Sequence, residues 1–309
     1  MAKAGRSATE RQGSGLDEFF DILPGVNEPR ISIVGVGRLG NALAWQLHAA
    51  GYRVCELIAH NRISPQARRL ADLLTATATT LHAAKLAGNL VWFCVPDSNI
   101  KTTAAQLALH DWEGKIVFHS SAVLGSDALA RLKEGGARVA SVHPLMTFVR
   151  GSVPSLSHVP FAIEGDRVAV RAARLVTGRL GGRPFTIRKQ DKPAYHLFAT
   201  LICPLLISLL AVSEKAARRA GVSPAKARIR MLPILRQTIS NYEQVGVDGA
   251  FTGPFVRGDV ETVRLHLKKL ARSSSIKAVY VSLAEAALEN LPHRGGDEIR
   301  SVLRQSLQH

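Results

Sequence analysis

The stretch GVGRLG at residues 35–40 constrains the fold more than any other part of the sequence. It follows ISIV, a short apolar run typical of a buried strand, and it opens a segment with apolar residues at helical spacing. The pattern Gly-x-Gly-x-x-Gly is weak alone, but between a strand and a helix it predicts a dinucleotide-binding turn. In this interpretation Gly35 permits the turn, Gly37 lets the main chain approach a pyrophosphate, and Gly40 allows close packing of helix on strand.

The helix that opens in this stretch is expected to contribute to binding through its N-terminus. Arg38 and Leu39 lie in its first turn, where main-chain N–H groups and the helix dipole favour an anion. The alternative is a glycine-rich turn that binds no ligand.

Strand-like and helix-like segments alternate through the first part of the chain. The predicted strands cover residues 31–37, 53–59, 90–95, 115–120, 138–143, 161–165 and 183–187. Because these strands are apolar throughout, the alternation predicts a parallel sheet covered on both faces. The strands then stop, and helical patterns cover residues 191–220, 224–245, 259–272, 275–291 and 297–307.

The expected architecture is an α/β Rossmann domain with a doubly wound parallel sheet at residues 30–189, followed by an all-α C-terminal domain at residues 190–309. Residues 1–29 are rich in Gly, Ser and charge, and they are predicted to form a disordered tail.

The residues after the second strand indicate which dinucleotide the turn would bind. An NAD site usually has an acidic residue there for the ribose 2′-hydroxyl. This chain reads AHNR at residues 59–62, and Glu56 lies too early in the strand. Arg62 is expected to pair with a 2′-phosphate, helped by Asn61 and Ser64, so the sequence predicts NADP(H) over NAD(H). Ser64 is also expected to cap the next helix.

Three turns follow the carboxyl ends of later strands and should meet at the same rim of the sheet, where ligands bind. Val95, Pro96 and Asp97 are assigned to the cofactor, and Ser120 and His143 to the substrate. For the side chains of Asp97 and Ser98, a helix N-cap is the favoured interpretation. His143 could instead fix the loop before Pro144.

The composition of the chain indicates which kinds of partner and which location to expect. The net charge is +16, but the basic residues are scattered and aromatic residues are scarce. This favours a basic surface that steers an anionic ligand over a nucleic-acid partner. Cys55, Cys94 and Cys203 are far apart in apolar surroundings, which argues against disulfides and a metal site. With no recognisable secretory signal, a reducing, cytoplasmic location is expected.

The apolar stretch AYHLFATLICPLLISLLAV at residues 194–212 is nearly long enough to span a membrane. It contains His196, Pro204 and Ser208, and it continues into the charged SEKAARRA. A helix buried in a domain core or in a dimer interface is therefore favoured over a membrane span.

The stretch FTGPFVRGD at residues 251–259 lies between two predicted helices. Asp259 is expected to cap the following helix, and the glycines and proline to form a stiff loop. We interpret the loop as one that aims Thr252 and Arg257 at a cleft between the domains, and not as an adhesion motif.

Several of these motifs together resemble one family, the uncharacterised Rossmann-like oxidoreductases catalogued mainly as a domain of unknown function. The resemblance covers roughly residues 30–290 and rests on GVGRLG, VPDSNI, HSSAVLGSDAL, SVHPLMTF, FAIEGD, DKPAYHLFA and TGPFVRGD. This family lies in the 6-phosphogluconate and β-hydroxyacid dehydrogenase superfamily, with pyrroline-5-carboxylate reductase and ketopantoate reductase as relatives. The resemblance implies NADP binding, a 6-phosphogluconate dehydrogenase-like helical domain that commonly dimerises, and an active site between the domains. It implies no particular substrate.

A nicotinamide enzyme needs a proton donor within hydrogen-bond reach of the reacting atom. The candidates are His143 at the rim of the sheet and Tyr195 or His196 on the first long helix. Lys192 lies on the same helical face as His196. Arg257 could hold a substrate carboxylate, and Ser120 could contact the substrate. We expect an oxidoreductase that acts on a C=O or C=N bond, or on the corresponding alcohol or amine, of a small anionic substrate.

One departure from the resemblance keeps an alternative open. In many members the helix after Lys192 carries Ser-Asn, whereas this chain has Cys203-Pro204 at the corresponding positions. A catalytic role of Lys192 in the β-hydroxyacid dehydrogenase style is therefore doubtful. The alternative is a catalytically inactive NADP(H)-binding sensor or regulatory protein.

Overall fold

The computed structural model of the chain describes residues 29–307, which form two compact units. The first ends at Thr200 and the second begins at Leu201, whereas the sequence placed the boundary at 189/190. The first unit extends beyond residue 189 for a physical reason. The side chain of Lys192 is 1% exposed and donates hydrogen bonds to Ser121 and Ser141, which lie in the same unit. The tail expected at residues 1–29 lies outside the described residues, except for Pro29.

One sheet of eight strands forms the centre of the first unit, in the order β3-β2-β1-β4-β5-β6-β7-β8. The strands are β1 (Arg30–Val34), β2 (Arg53–Ala59), β3 (Thr77–Thr80), β4 (Leu90–Phe93), β5 (Ile116–His119), β6 (Arg138–Pro144), β7 (Pro160–Gly165) and β8 (Arg183–Thr186). The order reverses between β1 and β4, which is where doubly wound sheets bind ligands. The predicted α/β Rossmann architecture is confirmed.

The helices of this unit are α1 (Arg38–Ala49), α2 (Pro65–Leu74), α3 (Asp97–Gln106), α4 (Ala130–Glu134), α5 (Arg167–Arg179) and α6 (Lys192–Thr200). Short 3₁₀ turns lie at Leu81–Ala83, Ser126–Leu129 and Lys189–Asp191. Ser64 caps α2 as predicted, since its Oγ accepts a hydrogen bond from the N–H of Ala67 at 3.1 Å.

The expectation of an all-parallel sheet is wrong at one place, because β7 pairs with β6 in the antiparallel direction. The chain between them, residues 145–159, contains no helix. Antiparallel neighbours need no crossover helix, whereas parallel neighbours do. The short strand β3 was not predicted, since its sequence TATT lacks the apolar run of the other strands.

Helices on both sides of the sheet bury both faces of its strands. Trp92 and Phe93 are consecutive in β4 and 0% exposed, yet they belong to two different hydrophobic clusters. Successive side chains of a strand point to opposite faces, so each layer of helices covers one of them. Burial of each such side chain contributes roughly 1.5–3 kcal/mol to folding.

Glu56 in β2 is 3% exposed and has a structural role. Its carboxylate accepts hydrogen bonds from the N–H groups of Lys85 at 2.8 Å and Ala87 at 3.1 Å, and from the hydroxyl of Ser32 at 3.2 Å. The Ser32 Oγ in turn accepts from the N–H of Gly88. This carboxylate thus holds the turn before β4 and lies away from the end of β2.

The second unit is helical, as predicted. After a π-helical turn at Leu201–Leu205 it comprises α7 (Leu206–Arg219), α8 (Pro224–Ala250), α9 (Pro254–Arg257), α10 (Val260–Leu270), α11 (Ser274–Asn290) and α12 (Gly296–Leu307). Helices α10, α11 and α12 enclose its hydrophobic core, which includes Val263, Val281, Leu288, Ile299 and Leu303. Helix α8 kinks at Gly246, where φ is 70°.

The apolar stretch expected to be buried in a domain core is exposed in the single chain, so that alternative is wrong. Leu197, Phe198, Leu201, Ile202 and Leu205 are each 47–60% exposed. The helical stretch Lys189–Arg219 is long and apolar enough to cross a membrane, by length and composition only. Length and composition do not distinguish a membrane span from a helix that packs on another subunit.

The glycines of the loop FTGPFVRGD adopt the special backbone conformations that its sequence predicts. Gly253 and Gly258 adopt φ values of 97° and 69°, which favour glycine, and they flank the short helix α9. A Cβ at Gly258 would lie 2.7 Å from the carbonyl oxygen of Arg294. Asp259 caps α10, as predicted, by accepting from the N–H of Thr262 at 3.0 Å.

Candidate functional site

The glycine turn between β1 and α1 brings the helix against the strand. A Cβ at Gly40 would lie 2.0 Å from the carbonyl oxygen of Gly35, so only glycine allows this approach. Gly35 has φ of +98°, and a Cβ there would meet the Cys94 carbonyl oxygen at 2.7 Å. A Cβ at Gly37 would meet nothing within 4 Å, which leaves open space at the start of α1. The turn thus has the geometry of a dinucleotide-binding turn.

Beside this turn lies a cavity of about 270 Å³. The predicted cofactor residues that line it are Gly35, Gly37, Arg62, Ser64, Val95 and Pro96. The predicted residues Arg38, Leu39, Gly40, Asn61 and Asp97 are not among the lining residues. His60, Asn99 and Thr103 line the cavity and were not predicted. His60 directly precedes the predicted Asn61, and Asn99 and Thr103 lie on α3, two and six residues after Asp97.

The N-terminus of α1 at this cavity has the properties of an anion site. Gly37 occupies the N-cap position, and no side chain makes a capping hydrogen bond to the first N–H groups of the helix. The first turn contains no acidic residue. The first N–H groups of a helix have no acceptor within the helix, so they remain available to a phosphate. The residues present therefore fit a pyrophosphate at this position.

The end of β2 presents a cation and no carboxylate to the same cavity. Arg62 is exposed and lines the cavity together with His60, while Glu56 is occupied in the structural contacts described above. The Ser64 hydroxyl accepts the capping bond of α2, and its proton is left for another acceptor. A guanidinium here suits a 2′-phosphate better than a bare 2′-hydroxyl.

Asp97 does not cap α3, contrary to the favoured interpretation of its side chain. The N-cap residue is Pro96, and no side chain makes the cap bond. Asp97 instead accepts a hydrogen bond from the Ser121 hydroxyl at 2.8 Å. The Ser121 Oγ also accepts from the N–H groups of Val123 and Leu124, so this contact organises the loop after β5.

His119 at the end of β5 was missed by sequence reasoning, because a histidine inside the apolar run KIVFHS gives no signal of its partners. It is 0% exposed. Its Nε2 lies 3.0 Å from the Gly125 carbonyl oxygen, and the N–H of Ser121 donates to its Nδ1 at 3.2 Å. These bonds require a neutral ring protonated at Nε2. Burial lowers the pKa of His119 to about 4.

His143 and Ser120 come together at the rim. The Nδ1 of His143 lies 3.1 Å from the Ser120 carbonyl oxygen, so Nδ1 carries a proton and donates it. Desolvation, with smaller contributions from Lys192 and His196, lowers the pKa of His143 to about 4 against the opposing effect of the bond to Ser120, which leaves the ring neutral at neutral pH. The Ser120 hydroxyl accepts a hydrogen bond from the Trp92 ring at 2.8 Å and keeps its own proton to donate.

Lys192 is a buried cation that joins the loop after β5 to strand β6. Its Nζ donates to the Ser121 carbonyl oxygen at 3.0 Å and to the Ser141 hydroxyl at 2.8 Å. Desolvation lowers the pKa of this lysine, while Glu164 and Asp97 oppose that shift. These contacts make Lys192 a positioning residue for the loop that carries Ser120.

The other two candidates are exposed. His196 lies on α6 in the first unit, and Arg257 ends α9 in the second unit. Between residues 29 and 307, no group of three His, Cys, Asp or Glu side chains is placed to hold a metal ion.

The buried, neutral His119 makes folding sensitive to acid. Its folded-state pKa of about 4 lies below the ordinary 6.5, so the unfolded chain binds the proton more tightly. The stabilisation from the neutral ring is complete above pH 6.5 and is lost as pH falls towards 4, by up to about 3 kcal/mol. Chemical unfolding at several pH values should show a smaller loss for His119→Gln than for wild type. Equal losses in both proteins would contradict this account.

Two family matches cover most of the chain. Residues 159–287 match a family described as a domain of unknown function (DUF2520), and residues 19–144 match the Rossmann-like domain. Among curated proteins, no sequence matches the chain.

Several solved structures share the fold. A proposed NADP oxidoreductase from Bacteroides fragilis has a TM-score of 0.72 at 20% identity, over 84% of this chain and 97% of that one. A reductive aminase from Aspergillus terreus, in complex with NADPH and ethyl-5-oxohexanoate, has a TM-score of 0.61 at 18% identity, over 90% and 99%. A 1-pyrroline-5-carboxylate reductase from Streptococcus pyogenes has a TM-score of 0.56 at 16% identity, over 85% and 99%. The two family matches confirm the resemblance to Rossmann-like proteins that carry this domain of unknown function, and the similar structures, each at 20% identity or less, show that the fold is shared.

Proposed function

We propose that the protein is an NADP-dependent oxidoreductase that acts on a C=O or C=N bond, or on the corresponding alcohol or amine, of a small anionic substrate. The observation that carries this proposal is the cavity at the β1–α1 turn, which combines the open space at Gly37 with the cation Arg62. The similar structures include a reductive aminase with NADPH, an imine reductase from Streptomyces aurantiacus and a pyrroline-5-carboxylate reductase, which supports C=N chemistry for this chain.

In this proposal, residues of the first unit hold NADP(H). The pyrophosphate would lie at the N-terminus of α1, beside Gly37, Arg38 and Leu39, and the 2′-phosphate would pair with Arg62. When bound, the nicotinamide supplies or accepts a hydride. Val95 and Pro96, which follow the end of β4, also line the cavity.

His143 would contribute as a neutral imidazole. Because Nδ1–H donates to the Ser120 carbonyl oxygen, Nε2 carries a lone pair and can accept a proton from an alcohol or an amine. A pKa of about 4 makes the protonated ring scarce at neutral pH, so His143 suits a base better than a proton donor. For the reduction, the proton would come from the Ser120 hydroxyl, from His196 or from water.

We propose that Arg257 holds the anionic group of the substrate. Its guanidinium is exposed, and the glycines on either side of α9 fix the main chain that carries it. Arg257→Ala should raise KM for the substrate about tenfold or more, because a charge-assisted hydrogen bond contributes about 1.5–3 kcal/mol. NADPH affinity and the melting temperature should stay unchanged, and Arg257→Lys should restore part of the loss. A lower melting temperature that accounts for all the lost turnover would refute the role.

The reaction itself is tested by NADPH consumption with a panel of oxo acids and cyclic imines. Turnover with at least one of them is expected. Tight NADPH binding with no turnover on any of them would favour the inactive sensor, for which the Cys203-Pro204 departure is the motivating observation. No NADPH binding at all would refute both readings.

The cofactor preference is tested at Arg62. Arg62→Ala should weaken NADPH binding roughly ten- to hundredfold and leave NADH binding nearly unchanged, because only NADPH carries the 2′-phosphate. Arg69→Ala is a matched control, since Arg69 is exposed on α2 and does not line the cavity. Equal titration curves for NADPH and NADH in the wild type would overturn the assignment.

We also propose that the protein forms a homodimer through the helical stretch Lys189–Arg219. We propose further that it binds neither a membrane nor nucleic acid and that it is located in the cytoplasm. The exposed Leu201 and Leu205 on this stretch support the dimer, because so much apolar surface is rarely left uncovered. The free thiols of Cys55, Cys94 and Cys203 are those expected of a reducing compartment.

Light scattering should give twice the chain mass for the wild type and a smaller mass for Leu201→Glu with Leu205→Glu. A wild type that is monomeric, or that needs detergent to stay in solution, would contradict the dimer.

A further inference from the structure

The second unit contains a polar cavity of about 530 Å³ where the end of α7 meets the start of α11. It shares no residue with the dinucleotide cavity. Its lining consists of Lys215, Arg218, Arg219, Arg272, Ser273, Ser274, Ser275 and Ile276. Four of these eight side chains are cations and none is acidic.

The cations of this cavity make no ion pair within the part of the chain that the structure describes. Among the same described residues, their side chains make one hydrogen bond, from Arg219 Nη2 to the Arg272 carbonyl oxygen at 3.1 Å. Arg218 and Arg219 lie in the last turn of α7, where the helix dipole favours cations. That dipole does not explain Arg272, which precedes α11 and adds positive charge at the positive end of that helix.

Ser273 provides an independent observation that points to a ligand. It holds the N-cap position of α11, a helix of 17 residues, yet its side chain makes no cap bond. The residue is 7% exposed, and its Oγ has no hydrogen-bond partner. A buried hydroxyl without a partner destabilises a fold by about 1–3 kcal/mol, and buried polar groups of native proteins are almost always paired. Ser273 is one of the residues that line the basic cavity.

We propose that this cavity binds a phosphate group. The cations supply charge-assisted donors, the first N–H groups of α11 add main-chain donors, and Ser273 Oγ adds a hydroxyl donor. A tetrahedral phosphate dianion can accept from all three sets, whereas a planar carboxylate has only two oxygens. The phosphate belongs either to a soluble phosphorylated molecule or to a lipid headgroup. This site is independent of the function proposed above.

Inorganic phosphate is the first probe. It is titrated at constant ionic strength into the full chain carrying Arg62→Ala, which removes the 2′-phosphate partner of the other cavity. Binding measured by calorimetry should weaken at least tenfold on adding Arg218→Ala with Arg272→Ala. Adding Arg167→Ala with Arg171→Ala is the control, since it removes the same charge from exposed positions of α5 and should leave binding unchanged. Equal weakening in both variants, or no phosphate binding, would overturn the proposal.

Ser273→Ala separates a ligand role from a structural one. Because its hydroxyl caps nothing, the substitution should leave the melting temperature without phosphate unchanged or raise it. The rise in melting temperature that phosphate produces should shrink. A drop in stability without phosphate, with an unchanged response to it, would show that Ser273 is structural and that the site is wrongly assigned.

The two sources of the phosphate are distinguished with vesicles. Flotation of the full chain with phosphatidylcholine vesicles that contain phosphatidic acid, but not with phosphatidylcholine alone, identifies a headgroup, provided that Arg218→Ala with Arg272→Ala abolishes it. Phosphate binding in calorimetry without flotation identifies a soluble phosphorylated ligand. Flotation that survives the double substitution would place any lipid contact elsewhere and count against this cavity.

Discussion

The contact between Gly40 and the carbonyl oxygen of Gly35 is the constraint on which the rest of the first unit depends. It presses α1 against β1 at the point where the strand order reverses, so the positive end of the helix faces the rim of the sheet. With α1 in this position, the ends of β2 and β4 enclose a cavity. A side chain at residue 40 would separate helix and strand, and the cavity would lose its shape.

Features set by neighbouring residues could be predicted from the sequence, whereas features set by distant partners could not. The caps at Ser64 and Asp259 follow from local rules, and both are confirmed. Strand β7 runs antiparallel to its neighbour β6. Its apolar pattern would be the same if it ran parallel, so its direction could not be predicted from that pattern. Asp97 has the sequence signature of a cap, but its partner Ser121 lies 24 residues away. The candidate site could therefore be located from its glycines, while its hydrogen-bond network could not.

The rim of the sheet is built from ionisable groups whose pKa values are lowered by burial. His119 and His143 stay neutral, and Lys192 bonds to neutral oxygens. In each imidazole ring, one nitrogen donates a hydrogen bond to a main-chain carbonyl oxygen. This bond fixes the tautomer and the orientation of the ring. The loop that presents Ser120 and the end of β6 that presents His143 are thus held by hydrogen bonds in a place of low polarity, where such bonds are strong.

The role of Glu56 limits how the cofactor preference of this fold could be redesigned. Its carboxylate is the only acidic group in β2, and it is fully engaged in holding the turn at Lys85 and Ala87. It is therefore not available as a ribose-binding acid, and moving it would leave the main-chain N–H groups of Lys85 and Ala87 without their acceptor. An NADH-preferring relative of this chain would need a second carboxylate at the end of β2, added at residue 59 or 60, with Glu56 retained.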